Sequence, residues 1–216
     1  MFAQMILLNG KKKLKLVYKM EKPIKILVAG VGGQGVVFLT DLIVEAAMFS
    51  DIPVSTSEIH GLAQRGGTVT AGITIGENTF GFIEKASVDI LIGLESLEAQ
   101  RCASFLYKGS ISVIDNNQIL PFSVSSGNSN YPETKKFIEY LKSNIKDVIY
   151  VTEKSGGTKA VHRNLFVLGK LCASGHFPID VSYIEKAIKK TVHSGFEEVG
   201  LEIFRKGCLK NKIIIE

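Results

Sequence analysis

Two short runs of this 216-residue chain combine glycine with polar side chains at spacings that suit ligand chemistry. The first is Gly30-Val31-Gly32-Gly33-Gln34-Gly35, in which Gly30, Gly32 and Gly35 stand at G-x-G-x-x-G spacing. Glycines so placed permit a tight turn and let backbone N–H groups approach a pyrophosphate, whose negative charge suits a helix N-terminus. The same glycines can serve only to pack a helix closely on a strand, and spacing alone leaves both uses open. No Lys-Ser or Lys-Thr pair follows Gly35, which sets aside a nucleotide-hydrolysing phosphate loop. Gln34 either hydrogen-bonds a ligand or caps the helix.

The second run is Ser57-Glu58-Ile59-His60-Gly61-Leu62-Ala63-Gln64-Arg65-Gly66-Gly67. Histidine as a residue type titrates near neutrality, so His60 is the candidate catalytic group for donating a hydrogen bond or moving a proton, against the alternative of a turn histidine satisfied by backbone. Arg65 has the planar fork that grips a carboxylate or phosphate, against an exposed arginine or one paired with another chain's acid. Gln64 can bind a ligand or brace the turn, and Gly66 and Gly67 complete the candidate binding run. Glu58 stands 23 positions beyond Gly35, near where the ribose-binding acid of a dinucleotide site belongs, and so keeps an NAD-binding dehydrogenase or sensor open. Much later, His162, Arg163 and Asn164 open a helical pattern. Asn164 joins the candidate binding set, although polar residues at helix starts often only satisfy free N–H groups.

These groups need elements to hold them. The apolar run Ile24 to Ala29 reads as a buried strand ahead of the first glycine turn, and Val36 to Phe49 as the helix after it. Strands are expected over 52–57 and 68–75, with Gly76-Glu77-Asn78 returning the chain into a hairpin strand over 79–83. A strand over 88–92, a helix over 94–107 and a strand over 110–114 follow. Residues 116–132, rich in Ser, Asn, Gly and Pro, read as a long surface loop. Beyond it come a helix over 133–144, a strand over 147–152 and helices over 160–172, 181–193 and 197–206. This order predicts an α/β fold: a Rossmann-like, doubly wound, mostly parallel sheet with a β-hairpin addition and C-terminal helices. The second motif then follows the second strand, facing the same crevice as the first.

Bulk composition narrows the function. At 45% hydrophobic and 22% charged the chain is of ordinary globular type, with no apolar run long enough for a membrane span and no secretory pattern at its start, so a cytoplasmic protein is expected. The net charge of +5 comes from Lys11, Lys12, Lys13, Lys15 and Lys19; without them 21 basic residues face 21 acidic ones. A balanced body gives no stripe for tracking phosphates, so nucleic-acid binding is not expected. Residues 1–19 are read as a disordered leader or an over-long start, because Met20 is followed at once by Glu21-Lys22-Pro23 and then the first strand, and 20–216 as one domain. Cys102, Cys172 and Cys208 are far apart in sequence, which suits separate thiols and gives no metal-ligand spacing.

Taken together, the two motifs resemble the gamma-type subunit or domain of the 2-oxoacid:ferredoxin oxidoreductases, most closely the beta subunit of indolepyruvate ferredoxin oxidoreductase. Support continues in Gly93-Leu94-Glu95-Ser96-Leu97-Glu98-Ala99, Leu120-Pro121-Phe122-Ser123-Val124, Asn164-Leu165-Phe166-Val167-Leu168-Gly169 and Glu202-Ile203-Phe204-Arg205-Lys206-Gly207, so the likeness spans about 24–207. It departs from the family's pattern at Gly200, where an asparagine is usual.

The resemblance implies oxidative decarboxylation of an aryl-pyruvate to an acyl-coenzyme A in an anaerobic, heteromeric complex, with electrons passing through iron–sulfur clusters to ferredoxin and thiamine diphosphate stabilising the carbanion. The chain has no Gly-Asp-Gly opening a thiamine motif and no clustered cysteines. Thiamine diphosphate and the clusters are therefore expected on a larger partner subunit. Coenzyme A is expected at this chain, its pyrophosphate at Gly30 to Gly35 and Arg65 as a charge partner. A stand-alone NAD protein and a non-catalytic assembly module are the competing readings.

Overall fold

The computed structural model describes residues 4–5, 16–17, 22–60, 67–77, 80–154 and 159–209. In chain order these give β1 (Gln4–Met5), β2 (Leu16–Val17), β3 (Ile24–Val31), α1 (Val36–Phe49), β4 (Val54–His60), β5 (Thr68–Ile75), β6 (Val88–Gly93), α2 (Ser96–Arg101), β7 (Leu106–Asp115), α3 (Phe122–Ser125), α4 (Thr134–Asn144), β8 (Asp147–Val151), α5 (Ala160–Ala173), α6 (Val181–Thr191) and α7 (Glu197–Cys208). Six strands form one sheet in the order β4-β5-β3-β6-β7-β8, in which β3, β6, β7 and β8 pair in parallel and β5 runs antiparallel to both of its neighbours.

The period of two along β3 explains the layering. Ile26 and Val28 point into a core built with α1, α5, α6 and α7, while Leu27 and Ala29 point into a second core with α2 and α4. A strand apolar on both faces must be covered on both, which is why helices flank the sheet on each side. In α1 the buried positions Val36, Leu39, Leu42, Ile43, Ala46 and Ala47 recur at helical spacing, and each large one contributes about 1.5–3 kcal/mol by leaving water. On the same face, α5 and α7 cross where Gly169 faces Gly207: a Cβ added at Gly169 would lie 2.9 Å from the Gly207 Cα. That close approach packs α5 directly on α7.

The expected doubly wound sheet is present, but its antiparallel addition differs from the sequence reading. The hairpin partners are β4 and β5, with His60 opposite Val69, and no strand forms over the described part of 79–83. Gly76 does adopt φ +124, yet the chain beyond it leaves the plane of the sheet. The Ser57 hydroxyl donates to the Gly81 carbonyl and the Thr74 hydroxyl to the Phe80 carbonyl at 2.9 Å, so this segment lies across the face of β4 and β5 and uses side chains in place of a ladder. The helix expected over 94–107 is also shorter, because the Glu95 carboxylate accepts the Glu98 N–H at 2.9 Å and starts α2 late, while β7 already begins at Leu106. Gln4–Met5 and Leu16–Val17 pair as a two-stranded antiparallel ribbon separate from the main sheet.

Candidate functional site

Gly67, the last residue of the second motif, reaches the first glycine turn at the carboxyl end of β3. The Gly32 N–H donates to the Gly67 carbonyl at 2.9 Å, so the end of the second motif is hydrogen-bonded to the middle of the first. Gly33, exposed at φ +94 with nothing within 4 Å of where a Cβ would stand, gives the turn an open approach. Gly35 takes φ +79 as the N-cap of α1 and supplies no side chain to cap it. Gly30, by contrast, serves packing: a Cβ there would meet Gln34 Oε1 and Val36 Cγ2, each at 3.0 Å.

Gln34 and Asn164 have their side chains turned inward. Gln34 is 7% exposed; its Oε1 accepts the Val31 N–H at 2.7 Å and its Nε2 donates to the Leu94 carbonyl at 2.9 Å, stitching the ends of β3 and β6 together. Asn164, buried in the first turns of α5, donates to the carbonyls of Gln34 at 2.8 Å and Gly35 at 3.1 Å. Both are candidates for touching a ligand by residue type; in the structure these side-chain groups bond backbone of the turn and of Leu94.

Glu58 is not brought to the turn. It pairs with Ala71, which pairs with Val28, so it sits two strands to the side and three residues short of the end of β3. At the usual strand spacing and rise that is about 10 Å sideways and about 10 Å back. The insertion of β5 between β3 and β4 is the reason, and it removes the geometric support for a ribose-binding acid. The side chain of His60, and Gln64, Arg65 and Gly66 altogether, lie outside the described residues.

Several groups at this edge were not singled out by sequence reasoning. Asp115, 1% exposed at the end of β7, accepts Arg163 Nε at 2.8 Å and the same guanidinium's Nη2, while Nη1 donates to the Glu153 carbonyl. This pair ties the ends of β7 and β8 to the start of α5. The fully buried Glu95 accepts the Tyr131 hydroxyl and the Ile119 N–H at 3.1 Å, and burial followed by that carboxylate pushes the Tyr131 hydroxyl well above its ordinary range. Arg101 bridges Glu98 at 3.0 Å and the Thr68 hydroxyl at 2.8 Å, pinning the start of β5, just after the second motif, to α2. An acid at the C-terminus of a predicted parallel strand was the available signal for Asp115.

α1 and α5 both begin at this edge, neither has a side-chain cap or an acid in its first turn, and a helix N-terminus carries partial positive charge. The N-cap of α5 is Lys159, and the Asp115 charge is matched by Arg163. Iron does not fit in the same way: among the described residues no three His, Cys, Asp or Glu side chains gather as metal ligands, and Cys102, Cys172 and Cys208 are free thiols. No described helix is long and apolar enough to cross a membrane.

Residues 25–209 match the family model described as pyruvate ferredoxin/flavodoxin oxidoreductase. The indolepyruvate oxidoreductase subunit IorB of Archaeoglobus fulgidus is 35% identical over 85% of this chain and 93% of its own length. Among solved structures, the gamma subunit of a keto/oxoacid ferredoxin oxidoreductase from Geobacter sulfurreducens superposes with a TM-score of 0.60 at 19% identity, over 85% of this chain and 95% of that one. The 2-oxoglutarate:ferredoxin oxidoreductase of Magnetococcus marinus, solved with 2-oxoglutarate, coenzyme A and succinyl-CoA, superposes with a TM-score of 0.62 at 18% identity, over 88% of this chain and 31% of that one. The match across nearly all of the folded body, with both glycine motifs inside it, makes this chain a member of the pyruvate ferredoxin/flavodoxin oxidoreductase family.

Proposed function

We propose that the chain is the small subunit of a 2-oxoacid:ferredoxin oxidoreductase that works on an aryl-pyruvate such as indolepyruvate, and that its glycine turn holds the diphosphate of coenzyme A. One observation carries the reading: Gly32 bonds to Gly67 beside two uncapped helix N-termini, which joins both motifs of an oxidoreductase family into one anion-favouring edge. The open flank at Gly33 and the uncapped first turn of α1 are the groups that would face the diphosphate, and coenzyme A supplies the thiol that accepts the acyl group. Gln34 and Asn164 act one layer behind, holding the turn in shape; Arg65 is proposed as the charge partner and His60 as the group that handles a proton.

Thiamine diphosphate and iron–sulfur chemistry belong, in this proposal, to a larger partner subunit. The relative from Archaeoglobus fulgidus is itself named as a subunit, and the cysteine spacing here suits no cluster. The test is anaerobic purification of the tagged chain from its native cell, with co-purifying proteins, iron and thiamine diphosphate measured together and indolepyruvate-dependent ferredoxin reduction assayed with coenzyme A. A stoichiometric larger chain carrying both cofactors is expected. A lone, cofactor-free chain would overturn the proposal.

A further inference from the structure

The stretch from Asn116 to Pro132 has no charged residue in 17 positions, in a chain where 22% charge would place about four. At its centre three apolar side chains face water: Ile119 is 37% exposed, Leu120 52% and Phe122 83%. Their backbone is firmly fixed. The Ile119 N–H donates to Glu95, the Ser96 N–H holds the Asn117 carbonyl at 3.2 Å, and the Gln118 amide donates to the Thr134 hydroxyl at 3.0 Å. The turn around α3 is closed by Ser126 N–H to the Phe122 carbonyl and Asn128 N–H to the Ser123 carbonyl, both at 2.8 Å.

An exposed aromatic side chain on a hydrogen-bonded turn, set in a belt without charges, has the composition of an interface core, where charged residues are depleted and aromatic anchors carry much of the affinity. A backbone already tied by these bonds lowers the ordering cost of binding. Charge also specifies the occupant's surface: an ion pressed against this belt would be desolvated with no counter-ion, so the matching patch must be uncharged and apolar, edged by hydrogen-bonding groups. Position specifies which chain brings it. The belt starts directly after Asp115, at the carboxyl edge where the two glycine motifs join, so whatever covers it also borders that site. A second copy of this chain would bring no clustered cysteines or thiamine motif to that mouth.

We propose that Leu120-Pro121-Phe122 is the docking knob of this chain and that Phe122 seats in an uncharged apolar pocket on the cofactor-bearing larger subunit. The inference rests on the subunit reading above and adds the contact surface. Phe82 provides a control, being also largely exposed, at 72%, but lying across β4 and β5, with the Glu84–Lys25 ion pair beside it.

The test compares wild-type, Phe122→Asp, Phe122→Ala and Phe82→Asp full-length chains titrated into the purified larger subunit, identified by its thiamine diphosphate and iron. Phe122→Asp should weaken association by about thirtyfold or more, Phe122→Ala by less, and Phe82→Asp by under about twofold, with thermal midpoints unchanged because Phe122 packs on nothing. Equal binding by Phe122→Asp and wild type overturns the inference while leaving the subunit reading intact. So does a Phe122→Asp effect confined to self-association of this chain, which gives the knob to a second copy. If wild type finds no cofactor-bearing chain at all, the subunit reading itself falls, and this inference with it.

Discussion

Asn164 donates its side-chain amide to the carbonyls of both Gln34 and Gly35, so a helix 129 residues downstream sets the shape of the glycine turn. Replacing Asn164 by Ala leaves two carbonyl acceptors without their donor and should cost about 1–3 kcal/mol of stability. Asn164→Asp should cost more, because a carboxylate would then face two carbonyl oxygens. Urea denaturation orders the three proteins; a milder effect for Asp than for Ala would contradict this account.

Gly33 separates the roles of shape and charge at the turn. Asparagine and aspartate both tolerate a left-handed backbone better than other side chains, and the space beside Gly33 is open. Gly33→Asn and Gly33→Asp should therefore fold with similar midpoints. If the turn holds a diphosphate, Gly33→Asp should lose coenzyme A affinity by at least about tenfold relative to Gly33→Asn, measured by calorimetry on the assembled complex. Equal affinities would place the diphosphate elsewhere.

The Asp115–Arg163 pair should behave as a unit. Arg163→Ala strands a carboxylate that is 1% exposed and should cost about 3–5 kcal/mol, whereas the Asp115→Ala, Arg163→Ala double variant should be less damaged than the sum of the two singles. Thermal or urea unfolding of the full cycle reads the coupling, and additive losses would mean that each side chain acts alone.

Alkaline stability should carry a thiol signature. Burial, with the Glu98 carboxylate second, raises the Cys102 thiol from an ordinary 9.0 to about 12. A folded value above the unfolded one favours the protonated, folded form, so this contribution is complete below about pH 9 and is lost as pH rises from about 9 to about 12. Cys102→Ala should flatten the fall in stability over that window, and iodoacetamide at pH 8 should leave Cys102 unmodified until the protein unfolds. Rapid labelling of the native thiol would refute the buried assignment.

Much of the framework could be read from local pattern. Helical spacing of apolar residues placed α1 at 36–49, and the mostly apolar run after Pro23, broken only by Lys25, placed β3, because one turn of a helix or one pleat of a strand lies within a few residues of sequence. The strand, glycine turn and helix unit was legible for the same reason: φ above zero at Gly33 and Gly35 is a local demand that glycine meets locally.

Tertiary structure alone decided what the polar residues do. Gln34 and Asn164 have ligand-binding chemistry as residue types, yet their amides are consumed by backbone groups that come close only when β6 and α5 pack against the turn. Glu58 stands at the right sequence distance for a ribose acid, but β5 enters the sheet between β3 and β4 and moves it two strands away, and strand order is not written in spacing. Asp115 and Arg163, 48 residues apart, become partners because the parallel order of β7 and β8 brings a strand end to a helix start. Periodicity and glycine conformation act within a few residues, so the sequence alone determines them; hydrogen-bond partners and charge pairs depend on which distant elements the sheet makes neighbours.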